Sequence, residues 1–288
     1  MDNLPLVSVP VVTYNSSKYV LETLESIKAQ TYQNIELIVS DDSSTDDTVE
    51  ICRKWIVENS NRFVRTELIT SPTNTGISAN LNRAEAACRG EWVKGIAGDD
   101  ALCPNCVEEL IKYVLKHPEA VFVFSKVSVF GSDEQKVSHF ENDIFDYSFF
   151  ELPKEEQYRW LIGKSFQPIP AATTFYNRTQ AISLGLNRCD ERIPMLDDWP
   201  KWIKALESGV TFHFVDKPLV RYRISDSSVC SSVKYSKVFF HSLRQLFWLY
   251  QVKPLIRLFG LRYAAYRYSE IESVTGLLFW RVMKRLLR

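Results

Sequence analysis

VSVPVVTYN, residues Val7 to Asn15, is a short β-branched run that closes on a polar turn, the pattern of a strand buried on both faces. This strand and its continuation decide the fold class. Val20, Leu24 and Ile27, with Leu21 beside them, recur at helical spacing, and NIELIVS then predicts a second strand that ends at Asp41 and Asp42. Ser44 has Asp47 three positions on, a capping-box variant with Asp in place of Glu, and Val49, Cys52 and Ile56 share one helical face behind it. RTELIT predicts a third strand, Ile77 to Arg89 an alanine-rich helix stopped by Gly90, and Trp92 to Ala97 a fourth strand running into Asp99 and Asp100. Strands alternating with helices of this length predict an α/β fold: right-handed βαβ units around a mostly parallel sheet, with ligands at the carboxyl ends of the strands. Three polar clusters fall at such ends: Thr13-Tyr14-Asn15, Asp41-Asp42 and Asp99-Asp100.

Further on, Cys106 to Leu115 reads as a helix and AVFVFSKVSVF as a strand, after which the pattern loosens from Gly131 to Pro153. Alternation resumes with AATTFY, a helical segment from Arg178, another through Asp198 to Glu207, and short strands at Val210 to Val215 and Leu219 to Ile224. From Ser236 onward the pattern is helical, in at least two pieces separated near Pro254, with Phe239, Leu243, Leu246 and Tyr250 on one stripe.

With 288 residues and 45% hydrophobic side chains the chain can bury a full core. No signal-peptide pattern and no run of about 18 uninterrupted apolar residues is present, so the chain is expected to stay in the cytoplasm. Six cysteines sit mostly inside apolar patterns, which suits a reducing compartment. The net charge of zero hides an asymmetry: from Lys234 onward eleven basic residues face two acids, Glu270 and Glu272, while the preceding residues hold 24 basic against 33 acidic. A basic, aromatic-rich tail on an acidic body suggests an anionic membrane surface as its partner, here the inner face of the plasma membrane. The bland alternative is a helical cover whose charged face is merely solvated. A nucleic-acid partner is not expected, because the acidic body would repel phosphate backbones.

The adjacent acids Asp99 and Asp100 have no cation beside them in sequence, and neighbouring carboxylates repel unless a proton, a basic group or a metal offsets their charge. The turn TYNSSKY lacks the glycines of a dinucleotide fold, and nothing matches a P-loop. A diphosphate would therefore need another anchor, and a divalent cation on Asp99, Mn²⁺ or Mg²⁺, is the simplest. Capping offers a structural alternative for each acidic cluster taken alone. Cys103-Pro104-Asn105-Cys106 is a competing signal, resembling a thiol oxidoreductase motif or half a zinc site. Zinc lacks a second Cys or His pair at finger spacing, since His117, His139, His213 and His241 are scattered along the chain.

Together, VSVPVVTYNSSKYVLETLESIKAQTYQNIELIVSDDSSTDDTVEI, NTGISANLNRAEAACRGEWVKGIAGDD and MLDDWPKW resemble the family 2 glycosyltransferases of GT-A fold over Pro5 to Ser228. The resemblance implies an inverting enzyme that takes a sugar from a nucleoside-diphosphate donor, UDP-linked, to a glycan or lipid-linked acceptor in surface polysaccharide assembly. It implies that Thr13, Tyr14 and Asn15 lie along the nucleoside and that Asp41 accepts a hydrogen bond from the base, with Asp42 beside it. Asn74, Gly76 and Ser78 match the loop next to the donor, Asp99 the metal-binding aspartate with Asp100 at its side, and Asp198, next to Asp197, the catalytic base. Residues 1–230 would form the GT-A domain, with a donor half (1–130) and an acceptor half (131–230), and 231–288 a basic amphipathic helical extension. Three positions depart from the family pattern. Val12 stands where a proline is usual, Ala97 replaces the first acid of Asp-x-Asp, and Ser225 lies where a histidine often follows the late Tyr-Arg. Ala97 keeps open a non-catalytic nucleotide- or carbohydrate-binding protein on the same scaffold.

Overall fold

The alternating pattern becomes one curled mixed sheet between helical layers in the computed structural model, which describes residues 4–132, 134, 137, 145–163, 169–225 and 237–273. β1 (Val7–Thr13), α1 (Val20–Lys28), β2 (Ile35–Asp41), α2 (Thr48–Asn59), β3 (Arg65–Thr70) and α3 (Ile77–Ala87) follow one another as the periodicity requires. The strand expected from Trp92 to Ala97 is split at Gly95 into β4 (Trp92–Lys94) and β5 (Ile96–Ala97). Then come β6 (Ala101–Leu102), α4 (Cys106–Val114), β7 (Phe122–Gly131), α5 (Lys154–Gly163), β8 (Phe175–Asn177), α6 (Arg178–Ser183), α7 (Trp199–Glu207) and β9 (Phe212–Ile224). The described C-terminal residues form α8 (Lys237–Leu246), α9 (Val252–Phe259) and α10 (Leu261–Ser273).

Among the described residues the strand order is β3-β2-β1-β4-β8-β7-β9-β6, with β5 also beside β1. β1 to β5 are mutually parallel where they pair, and β8 runs antiparallel to both β4 and β7. The chain winds outward from β1 to β3 and then returns to the other side of β1. That reversal opens a crevice at the carboxyl ends of β1 and β5, where open α/β sheets bind ligands.

Side chains alternate across the sheet, so each strand feeds two apolar layers. Val7, Val9 and Val11 of β1 and Val123 of β7 join Leu24, Ile27, Trp55 and Leu110 on one face. Phe122 and Phe124 turn to the other, against Trp199, Trp202 and Leu161. The C-terminal helices close this second layer with Leu246, Phe247, Leu255 and Ala264, and the stripe members Leu243 and Tyr250 pack against it.

Three local expectations change. The two short strands expected at 210–224 are one strand, β9, whose ladder with β7 shifts register between Ser125 and Val127. The irregularity accommodates Pro218, which has no N–H to give a ladder. The Ser44–Asp47 capping box does not form: the Ser44 hydroxyl donates to Asp41 at 2.5 Å, and Asp46 instead accepts from Thr48 N at 3.1 Å. Pro254 does not divide the last helices, because it lies in the first turn of α9, where no intrahelical donor is required. The divisions are a π-helical turn at Phe247–Gln251 and Gly260, whose φ of +82° a side chain would resist. Lys234 and the basic cluster Arg281, Lys284, Arg285 and Arg288 lie outside the described residues. Among the described residues no helix is long and apolar enough to cross a membrane.

Candidate active site

The crevice is built from the turns that leave β1 and β2. Thr13 and Asp41 are register partners, and the Thr13 hydroxyl donates to Asp41 Oδ2 at 2.8 Å. Asp41 also accepts from Ser44 N at 2.8 Å. Asn15 adopts a left-handed φ of +49°, which asparagine tolerates better than most residues. That bend lets its backbone N–H donate to Ser44 Oγ and its Oδ1 accept from Thr45 N, each at 2.8 Å. The two turns thus lock each other, and Tyr14 is left 49% exposed above them.

Asp42 is buried, and its carboxylate supports a neighbouring loop. It accepts from Thr75 N at 2.8 Å, Gly76 N at 2.7 Å and the Arg83 guanidinium at 3.2 Å. Gly76, at φ +88°, makes the bend into α3, and Asn74 Oδ1 accepts from its N–H at 3.1 Å. α3 then reaches across to the segment 189–193. The buried Ser78 hydroxyl donates to Ile193 O at 2.9 Å, and Asn82 brackets Cys189, accepting from its N–H at 2.7 Å and donating to its carbonyl at 3.1 Å. A side chain at Gly76 would touch Pro194 at 3.8 Å, so the segment leading to Asp198 lies against the loop that comes after Asp42.

The third strand end carries the acids. Gly98 N donates to Val12 O at 2.9 Å, and a Cβ at Gly98 would lie 2.7 Å from Thr13 Cγ2. Only glycine lets this chain pass so close to β1 and deliver Asp99 to the crevice. Asp100 turns inward, only 4% exposed, with Oδ1 accepting from Arg223 N at 2.8 Å. Asp99 stays half-buried, and its main-chain carbonyl accepts from Arg223 Nε at 2.7 Å. The Arg223 guanidinium is sandwiched by Tyr19 and Phe130, 4.4 and 4.2 Å from their ring centres, and pairs with Glu22. Burial pushes the carboxyls of Asp99 and Asp100 above the usual range, with the charge of Asp99 adding to the rise at Asp100, while Arg223 opposes it at both. The cation missing from the local sequence therefore arrives from β9. Arg223 is the site residue that sequence reasoning missed, and its signal was the late Tyr222-Arg223 pair on a predicted strand.

Asp197 and Asp198 lie at the start of α7, where Asp198 Oδ1 accepts from Trp199 N at 2.6 Å. Burial raises both carboxyls, and the neighbouring Asp197 charge lifts Asp198 well above the ordinary carboxylate range, against the pull of Lys201. Lys201 itself is buried, 3.2 Å from Glu85. A carboxyl whose pKa is lifted toward neutrality has the character of a general base. The thiols move the wrong way for redox chemistry: burial pushes Cys106 up to about 12 and raises Cys103 as well, whereas a reactive thiol needs a depressed value.

A profile described as Glycosyl transferase family 2 matches residues 8–180. The chain belongs to that family. Among its relatives, EpsE of Bacillus subtilis, placed by its name among the glycosyltransferases, is 27% identical over 269 residues, covering 90% of this chain and 91% of its own. The chondroitin synthase of Escherichia coli is 36% identical over 109 residues, which is 38% of this chain and 15% of that one. The GT-A fold is shared with S. aureus TarS residues 1–349, solved in complex with UDP-GlcNAc, at a TM-score of 0.64 and 20% identity over 84% of this chain and 65% of that one.

Proposed function

We propose that this family 2 glycosyltransferase moves a sugar, with inversion, from a UDP-linked donor to a hydroxyl of a glycan or lipid-linked acceptor, in the assembly of a surface polysaccharide. The observation that supports the reading is the placement of two desolvated carboxylates, Asp99 beyond a strand end and Asp198 at a helix start whose preceding segment is held by Ser78 of α3 at Ile193. TarS, of the same fold, was solved with UDP-GlcNAc, which favours a uridine donor.

Thr13, Tyr14, Asn15 and Asp41 would line the nucleoside, and Asn74 and Gly76 would flank the diphosphate. Asp42, Ser78 and Asp100 act from behind, each holding a loop or strand that forms the wall. Asp198, with Asp197 sustaining its raised pKa, takes the proton from the incoming hydroxyl on the face of the sugar opposite the leaving diphosphate. Ala97 supplies no side-chain oxygen, so Asp99 is the residue that would hold Mn²⁺ or Mg²⁺ together with the donor phosphates, a ligand set that suits hard cations. Such an ion supplies neutralisation of the charge that grows on the departing diphosphate. Arg223 braces this turn by donating from Nε to the Asp99 main-chain carbonyl and from its backbone N–H to the Asp100 carboxylate.

Release of nucleoside diphosphate from a panel of UDP-, GDP- and dTDP-sugars, with Mn²⁺ and a hydroxyl acceptor, tests the proposal. Turnover of at least one UDP-sugar is expected. Tight binding without release would instead favour a carbohydrate- or nucleotide-binding protein on the same scaffold, as Ala97 would suit.

Residues 1–230 would be the catalytic domain and 231–288 an extension that works at the cytoplasmic face of the membrane. α8 to α10 expose Trp248, Leu249, Ile256, Leu258, Leu261, Tyr263 and Tyr266, with Lys253, Arg257 and Arg262 exposed among them. Aromatic and aliphatic side chains mixed with cations fit an anionic bilayer, where lipid-linked acceptors reside. Each interfacial cation contributes about 1 kcal/mol, so Lys253→Gln/Arg257→Gln/Arg262→Gln is expected to bind phosphatidylglycerol vesicles about 10²-fold more weakly. Unchanged co-sedimentation would rule this surface out.

A further inference from the structure

Two histidines that look unrelated in sequence meet at the far end of the sheet. His117 and Glu119 lie in the turn that leaves α4, closed by Ala120 N donating to His117 O at 3.0 Å. His213 is the second residue of β9 and the register partner of Val123 in β7. One ligand atom from each of His117, Glu119 and His213 lies within 4.8 Å of the other two, and this is the sole grouping of three or more such side chains among the described residues. Glu119 Oε1 is 3.4 Å from His117 Nδ1 and 4.0 Å from His213 Nε2. A tetrahedral shell with bonds of about 2.0–2.1 Å places adjacent ligand atoms about 3.4 Å apart. Small side-chain movements would therefore close the three around a single ion.

We propose that His117, Glu119 and His213 form a binding site for a transition-metal dication of the zinc type, separate from the donor crevice. Its position separates the two. β8 is antiparallel to both β4 and β7, so β7 runs in the same direction as β1, and β9 is parallel to β7. The amino ends of β7 and β9 thus face away from the carboxyl ends that carry Asp41 and Asp99. The chemistry separates them as well. Two imidazoles and one carboxylate suit zinc, nickel or copper, whereas magnesium and manganese favour the all-oxygen set at Asp99.

The surroundings are those of a prepared ligand. Tyr113 OH lies 3.2 Å from His213 Nδ1; a hydrogen bond there fixes the ring and leaves Nε2 directed at Glu119, as the outer partners of metal-binding histidines do. Tyr113 also stacks on His117, with ring centres 4.3 Å apart. Glu119 and His117 remain 63% and 42% exposed, so an ion can enter and keep a water ligand. Bound metal would clamp the exit of α4 to the start of β9, the strand whose other end carries Arg223.

The test uses the full, untagged chain after chelator treatment, titrated with zinc chloride alone in a calorimeter and then taken through thermal unfolding. One zinc per chain is expected, with a melting temperature raised by at least about 2 °C. Both effects should vanish in His117→Gln/His213→Gln, shrink in the surface variant Glu119→Gln and persist in Asp99→Asn. Cobalt(II) in the site should show ligand-field bands without a thiolate charge-transfer band, which separates it from the cysteines. Failure to bind zinc, or equal binding by the double histidine variant, overturns the proposal.

Discussion

Asp198→Asn is expected to lower transfer by about 10²- to 10⁴-fold, the usual worth of a general base, while donor affinity stays near that of the unaltered chain. The substitution is nearly isosteric, and its side-chain oxygen can still accept from Trp199 N, so α7 keeps its cap. Only the capacity to take a proton is lost. The same environment sets a pH dependence. Burial and the Asp197 charge raise the Asp198 pKa well above its unfolded value, so the base is active above that raised pKa, and the rate should fall as the pH drops through it. Stability runs in the opposite sense. A carboxyl whose folded pKa exceeds its unfolded one binds its proton more tightly in the native state, so stability is lost as pH rises between the two values. At neutral pH the raised Asp198 pKa costs stability, so Asp198→Asn should melt higher than the unaltered chain, with the gain disappearing in acid. Initial rates across a pH series and calorimetric melting would check both halves. Unchanged turnover would remove Asp198 from the base role, and a lower neutral-pH melting temperature would contradict the electrostatic reading.

The second large effect concerns Asp99. Asp100 accepts from Arg223 N and Ala97 has no carboxylate, so Asp99 is the carboxylate of the three proposed to hold the cation. Asp99→Asn should lower transfer by about 10²-fold or more, the scale on which a preorganised electrostatic partner of the leaving group acts. It should also remove the effect of Mn²⁺ on donor affinity. Arg223 remains in the variant, held by its aromatic sandwich and Glu22. Metal-free nucleotide binding should therefore survive, which distinguishes loss of the cation from collapse of the crevice. Donor binding that still responds to Mn²⁺ in this variant would place the metal elsewhere.

The features legible in the sequence are those with a local cause. Short apolar, β-branched runs marked β1 to β3 and a period of 3.6 marked the helices between them, and the turn residues after β1 and β2 marked the ligand end of the sheet. What escaped depends on partners far along the chain. Ser44 with Asp47 satisfied a capping pattern, yet its hydroxyl found Asp41 instead. Asp42, Ser78 and Asp100 carry residue types suited to a ligand, and each also holds an internal partner that no local pattern announces: Gly76 N, Ile193 O and Arg223 N. Whether a carboxylate faces a ligand or braces a loop is decided by which N–H groups tertiary packing brings to it, and no local period encodes that. The same holds for Arg223 beneath Asp99 and for His213 beside His117. β9 was legible as two short strands because Pro218 interrupts its pattern, and only the ladder with β7 shows that the strand continues past it.

The central claim is that the crevice at the ends of β1, β2 and β5 holds a nucleotide sugar with a cation at Asp99. Isothermal titration of UDP-, GDP- and dTDP-sugars into the unaltered chain, with and without Mn²⁺ or Mg²⁺, measures this directly. At least one UDP-sugar should bind with one-to-one stoichiometry and more tightly when the cation is present. Absence of binding by every donor with either cation, or binding indifferent to both, would contradict it.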